Sequence, residues 1–282
     1  MATVIATINL KGGVGKTTTT VAVAEMLSVK HRKRVLVVDL DPQTNATTIL
    51  ISEERWKELN DQHQTLAQLF KDALNGSAER EFDIDAALQR RVSPVQDVRS
   101  VDLLASSIDM IEVQDRLATM PVGQYYSRSP ADILYTAVKS VIDDYDYVLI
   151  DCPPNLGIIT LNGLRVAHGY IIPTIPDVLS TYGIPQITSR VAGFAAELNE
   201  PIEPYGIVIC KYREQSLVHM NTLNDLRRRN SPPVFNTVIP EANAIAASAE
   251  YTRVSTLRQK YSYGNRYDLF SELTDEIIGA AA

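Results

Sequence analysis

Lys11-Gly-Gly-Val-Gly-Lys-Thr-Thr18 stands between a short β-branched run, Val4 to Asn9, and a helically spaced run, Lys16 to Val29. In a glycine-rich strand-to-helix turn, backbone N–H groups converge on phosphate, and the following helix aims its positive N-terminal end at it. Gly12, Gly13 and Gly15 permit a backbone approach that a side chain would block. Val14 and Thr18 complete the cradle. Lys16 is spaced to reach the β- and γ-phosphates as a point charge, and the Thr17 hydroxyl to ligate Mg²⁺. The ordinary phosphate-loop pattern has glycine where this chain has Leu10, and here a second lysine, Lys11, opens the loop.

Outward from the loop, Arg34 to Leu40 reads as a buried strand, as do Tyr147 to Ile150, Gly169 to Ile175, Gly206 to Cys210 and Val234 to Ile239. Helical patterns lie between them at Ser129 to Asp143, Leu179 to Leu198 and Ser216 to Arg229. This alternation predicts an α/β fold, a mostly parallel twisted sheet with helices on both faces. Residues 52–120 are polar and helix-prone, and are expected to form a helical elaboration with one strand near Val101 to Leu104. No linker or repeat sets this segment apart, so a single domain over 1–282 is expected.

The composition of the 282 residues, 45% apolar and 22% charged, excludes disordered, collagenous and disulfide-scaffold classes. No apolar run approaches the roughly 18 residues of a membrane span. The first residues enter a strand directly, without a charged-then-apolar leader, and two cysteines fit a reducing cytosol. A cytoplasmic location is expected. The net charge of −7 is unevenly spread: Tyr205 to Arg266 carries +5 and the remainder −12.

Carboxylates end two of the strands. Asp39 and Asp41 follow the Val35-Leu-Val-Val run, at the carboxyl end where open α/β sheets bind ligands. Asp151 ends Tyr147-Val-Leu-Ile150, an arrangement that sets an anion near a metal ion or its waters. Cys152, with no histidine pattern beside it, reads as a packing residue.

Lys-Gly-Gly-Val-Gly-Lys-Thr-Thr resembles the deviant Walker A motif of the ParA/MinD family of dimerising P-loop ATPases. Asp-Leu-Asp-Pro-Gln at 39–43 and Asp-Cys-Pro-Pro at 151–154 are similar to that family's switch I and switch II. The resemblance implies ATP and Mg²⁺ as cofactors. It implies a homodimer closed on ATP, in which Lys11 reaches the partner subunit's phosphates while Lys16 serves its own. It gives Asp41 the attacking water, and gives Thr17, Asp39, Asp41 and Asp151 the metal and its shell. Base contacts fall at Lys211, Pro240 and Glu241, although Arg213 stands where some relatives carry asparagine. Leu10 and an anionic C-terminal stretch favour the ParA branch over the membrane-binding MinD branch. The ParA branch binds nonspecific DNA, works with a ParB-like adaptor, and is nucleoid-associated without a membrane. The late cationic stretch offers Arg227, Arg228, Arg229, Arg253, Arg258 and Lys260 for phosphate contact. The alternatives are a MinD-like positioning ATPase and a metabolic P-loop enzyme.

Overall fold

Val35, Leu36, Val37 and Val38 are all buried, yet they do not share a face. Side chains alternate along a strand, so Val35 and Val37 join one apolar cluster while Leu36 and Val38 join another. The computed structural model describes residues 1–75, 81–118, 129–261 and 265–282. Among them one sheet runs through the chain, from β1 (Thr3–Thr7) and β2 (Val35–Asp39) through β3 (Leu88–Gln89), β4 (Val101–Leu104), β5 (Tyr147–Asp151) and β6 (Gly169–Thr174) to β7 (Glu203–Tyr212) and β8 (Val234–Pro240). The order is β3-β4-β2-β5-β1-β6-β7-β8, parallel throughout except for β3 against β4.

Helices cover both faces. In chain order they are α1 (Lys16–Val29), α2 (Asn45–Ile51), α3 (Glu53–Asp61), α4 (Leu66–Asn75), α5 (Ile84–Ala87), α6 (Met110–Ala118) and α7 (Ile133–Val138). There follow α8 (Ile158–Val166), α9 (Val178–Tyr182), α10 (Ile184–Leu198), α11 (Leu217–Arg229), α12 (Asn243–Ala247), α13 (Leu257–Lys260) and α14 (Arg266–Ala280). Helices α1, α2 and α14 pack against the layer that holds Ile5, Val35 and Val37. Helices α4, α6, α7, α8 and α10 pack on the layer of Val4, Ala6, Leu36 and Val38.

The expected α/β architecture is present, with three local differences. The Ser129 to Asp143 pattern is interrupted: a 3₁₀ turn at Pro130–Asp132 precedes α7, which ends at Val138. The Leu179 to Leu198 pattern divides at Gly183, with Pro185 in the first turn of α10. The segment at 52–120 is part of the sheet and not only an addition to it. Strand β4 pairs with β2, and β3, which the sequence did not suggest, forms the edge. Residues 76–80 and 119–120 of that segment lie outside the described residues.

The anionic C-terminal stretch packs on the body, as its apolar positions require. Phe270, Leu273 and Ile277 of α14 are buried against α1 and β8. One correction concerns Lys260. Its side chain is 4% exposed and donates to Glu25 Oε1 at 2.7 Å and Oε2 at 2.8 Å, and Glu25 itself is fully buried on α1. Tyr261 Oη and Ser93 Oγ also donate to Glu25. An ammonium committed to a buried carboxylate is not a surface cation, so Lys260 leaves the DNA-contact set. Removing one member of a buried pair strands the other charge, whereas replacing both is far less costly. Lys260→Met is therefore expected to lower stability by about 3 kcal/mol. Adding Glu25→Leu should recover most of that loss, as read from urea unfolding midpoints.

Candidate functional site

Thr7 lies opposite Asp151, and Asp151 opposite Asp39, so β1, β5 and β2 end at one level. The loops leaving these ends therefore meet at one place. The loop after β1 reaches α1 through Gly13 and Gly15, whose φ angles are +72° and +98°. These are left-handed conformations that favour glycine. A Cβ on Gly15 would also sit 3.1 Å from Cys210 Sγ on β7, whereas Gly12 and Gly13 face open space. Val14 is fully buried and anchors the loop to the protein interior.

A cleft of about 570 Å³ opens over the loop, lined by Gly12, Gly13, Gly15, Lys16, Thr17 and Thr18. Asp41, Gln43, Asn45, Thr48, Ile49, Pro154, Lys211 and Ala249 complete its walls. Lys16 is 6% exposed, and its Nζ donates to the Lys11 carbonyl at 3.3 Å. Burial lowers its pKa, opposed by the fields of Asp151 and Asp41. This buried ammonium has no salt bridge among the described residues, which suits it to an anionic ligand.

The carboxylates differ in what they offer. Asp151 is fully buried and accepts from Thr17 Oγ1 at 2.7 Å and Thr20 Oγ1 at 3.4 Å. Burial is the largest influence on its pKa and raises it to about 7. Asp41 Oδ1 accepts from Gln43 N–H at 2.9 Å, while Oδ2 makes no hydrogen bond among the described residues. Burial raises this group as well, offset by that N–H and by Lys16. Asp39 behaves otherwise. It is fully buried, Oδ1 accepts from Asp41 N–H, and Oδ2 accepts from Thr47 N–H and Oγ1 at 2.9 and 2.7 Å. Burial pushes its pKa well up. Its oxygens shape the loop from β2 to α2, and like Asp151 it is not among the residues that line the cleft.

Lys11 does not line the cleft either, and pairs with Asp177. Of the three base-contact candidates, Lys211 lines the cleft, held at φ +52°. Pro240 pairs with Tyr212 across β7 and β8, and Glu241 is ion-paired with Arg213. Ala249 lines the cleft as well, and nothing in its own sequence neighbourhood signals it. Gln43 ends the Asp-Leu-Asp-Pro-Gln motif after β2, and Asn45 follows two residues later. Arg227, Arg228, Arg229, Arg253 and Arg258 are exposed, though several are engaged. Arg227 donates to the Asn236 carbonyl, Arg228 pairs with Asp225, and Arg258 pairs with Asp268 and lies 4.1 Å over the Tyr267 ring. Arg229 and Arg253 have no salt bridge among the described residues.

The AAA domain family matches residues 2–203, well over half of the chain. The chain belongs to that family. Within the AAA domain family it resembles ParA-type partition ATPases along most of its length. It is 27% identical over 281 residues to the sporulation initiation inhibitor protein Soj of Bacillus subtilis, covering 98% of each chain. A structure of cobyrinic acid a,c-diamide synthase from Mycobacterium smegmatis with an ATP analogue and magnesium is 26% identical, with a TM-score of 0.73 over 98% of this chain and 93% of that one. An ATP complex of a McdA variant from Cyanothece shares the fold, with a TM-score of 0.76 at 20% identity over 99% and 96% of the two chains. The chain thus shares its overall fold with both of these solved structures.

Asp151 yields a pH dependence whose sign follows from its raised pKa. The folded chain holds its proton up to about pH 7, whereas the unfolded chain releases it near pH 4. Stability of the nucleotide-free protein should therefore fall as pH rises through this window. Asp151→Asn is expected to remove on the order of 2 kcal/mol of the difference between pH 5 and pH 8, measured by urea unfolding.

Proposed function

We propose that residues 1–282 form one ParA-like ATPase unit. ATP closes two copies into a dimer, the dimer binds nonspecific DNA, and slow hydrolysis stimulated by a ParB-like adaptor reopens it. Such a cycle positions or segregates a cargo, and it implies a nucleoid-associated protein in the cytoplasm. The observation that carries the reading is the division of the two loop lysines. Lys16 faces its own cleft without an anionic partner, while Lys11, from the same loop, stays outside that cleft. A cation carried on the loop but not spent on its own phosphates is available to a second nucleotide across a twofold seam.

The residues present fit a magnesium–nucleotide ligand. The Gly12 and Gly13 positions are open, Lys16 is a buried cation, and Thr17 meets Asp151 beneath the loop. Thr17 would hold the metal directly, with Asp151 behind it, and Asp41 would contact its waters. When bound, magnesium neutralises charge on the β- and γ-phosphate oxygens. The chain supplies the rest. Loop N–H groups and Lys16 fix the phosphates, and Asp41 Oδ2 is free to orient a water for in-line attack. Lys211 and Ala249 also line the cleft, and a base would lie against them.

For DNA, the exposed cations are Arg227, Arg228 and Arg229 in the last turn of α11, with Arg253 and Arg258 after β8. Phosphate contacts of this kind give affinity with little sequence readout. A membrane-directed reading finds no support in α14, whose apolar side is used within the fold. Among the described residues, no helix is long and apolar enough to cross a membrane. The likeness to cobyrinic acid a,c-diamide synthase keeps a metabolic reading in view, and ATP-dependent self-association separates the two.

The deciding experiment is a DNA shift assay with ATP, ADP or no nucleotide at two salt concentrations. Retardation with ATP alone, weakened by salt, is expected; equal retardation in all three states, or none, would overturn the reading. Neutralising Arg227, Arg228 and Arg229 together should weaken binding and reduce its salt slope by up to about 3. Asp41→Ala should lower ATP turnover about a hundredfold or more, leaving an ATP-bound dimer on DNA. Wild-type phosphate release by that variant would remove Asp41 from its assigned role.

A further inference from the structure

Lys11 opens the phosphate loop, yet its ammonium is committed elsewhere. Nζ donates to Ser180 Oγ at 2.9 Å and lies 3.3 Å from Asp177 Oδ2. Asp177 caps the N-terminus of α9 and accepts the Ser180 N–H at 2.6 Å, so the two acceptors are fixed relative to each other. Ser180 is buried, which holds the hydroxyl in place. Burial alone would raise the Asp177 pKa, but hydrogen bonds from Ser180 and Lys11 bring it below the usual carboxylate range. A second attachment lies one residue earlier. Leu10 Cδ1 sits 3.5 Å from where a Cβ on Gly183 would be, at the junction of α9 and α10. Two consecutive residues at the entrance to the loop are thus fastened to one segment after β6, Leu10 by an apolar contact and Lys11 by an ion pair.

We infer that Asp177 and Ser180 form a latch that holds Lys11 within its own subunit and sets the threshold at which ATP pairs two subunits. The inference rests on the sandwich-dimer reading above. An ammonium that serves Asp177 and Ser180 must leave both before it can meet phosphate on a second copy. Its side chain is 38% exposed and that of Asp177 is 30% exposed, so the ion pair is screened by water and the latch is reversible. A pair of this kind shifts an equilibrium roughly two- to fivefold. Because each dimer releases two lysines, the combined effect is about tenfold.

The test compares wild type with Asp177→Asn/Ser180→Ala. Asparagine is the replacement at 177 because it caps a helix as well as aspartate does. Trace acetylation of Lys11 in nucleotide-free protein, followed by mass spectrometry, reports the contact without reference to dimers. Sedimentation with magnesium and a non-hydrolysable ATP analogue reports the dimer dissociation constant. The latch predicts faster Lys11 acetylation in the variant and a dissociation constant about tenfold lower. Unchanged acetylation overturns it, and so does faster acetylation with an unchanged or weaker dimer; in both cases a wild type that pairs with ATP leaves the functional reading intact. If neither protein pairs, the sandwich reading fails and the threshold role falls with it, whatever the acetylation rates.

Discussion

Three parallel strands ending at the same level is the constraint from which the rest of the site follows. Register places Thr7, Asp151 and Asp39 side by side, and it delivers the phosphate loop and the loops after β2 and β5 to a single cleft. Hydrophobic burial of the sheet on both faces draws these carboxyl groups out of water. Each then has to be hydrogen-bonded, neutralised or matched with a cation. Asp39 is satisfied by backbone and threonine donors, and Asp151 by two threonine hydroxyls together with a raised pKa. Lys16 is buried close to these acids without a salt bridge of its own. The resting site is thus electrostatically incomplete, which is what a ligand combining a polyanion with a divalent cation would correct.

The two lysines of the loop show how sequence neighbours acquire opposite environments. Lys16 begins α1 and is carried inward by a helix that is buried over most of its surface. Lys11 precedes the glycines and emerges toward the segment after β6, where it meets polar partners and stays partly wet. A short glycine-rich turn is enough to separate them, because Gly13 and Gly15 reverse the local backbone hand.

Much of this was legible in the sequence, and the reasons are local. The phosphate loop, β2 and β5 are signalled by glycine spacing, unbroken apolar runs and the acids that end them, all features contained within a few residues. What could not be read depends on distant parts of the chain. Lys260 belonged by composition to a cationic stretch, but its partner Glu25 lies 235 positions away. Asp39 shares a motif with Asp41, and only the return of the chain at Thr47 shows that it faces inward. Asp177 caps α9 in the structure, and its second duty toward Lys11 spans 166 positions. Strand β3 is two residues long, too short for any periodicity to betray it.

The buried link between α1 and the segment around residue 260 has a consequence for biosynthesis. Glu25 leaves the ribosome before the ammonium that balances it, which follows 235 residues later. At about 5–20 residues per second this interval is on the order of ten to fifty seconds. Throughout it, the nascent nucleotide-binding half must keep a carboxylate solvated or protonated where the finished protein is dry. Completion of that half is thereby coupled to the arrival of the late segment, so a prematurely terminated chain would tend to present chaperones and proteases with a loosened α1, not with a functional fragment.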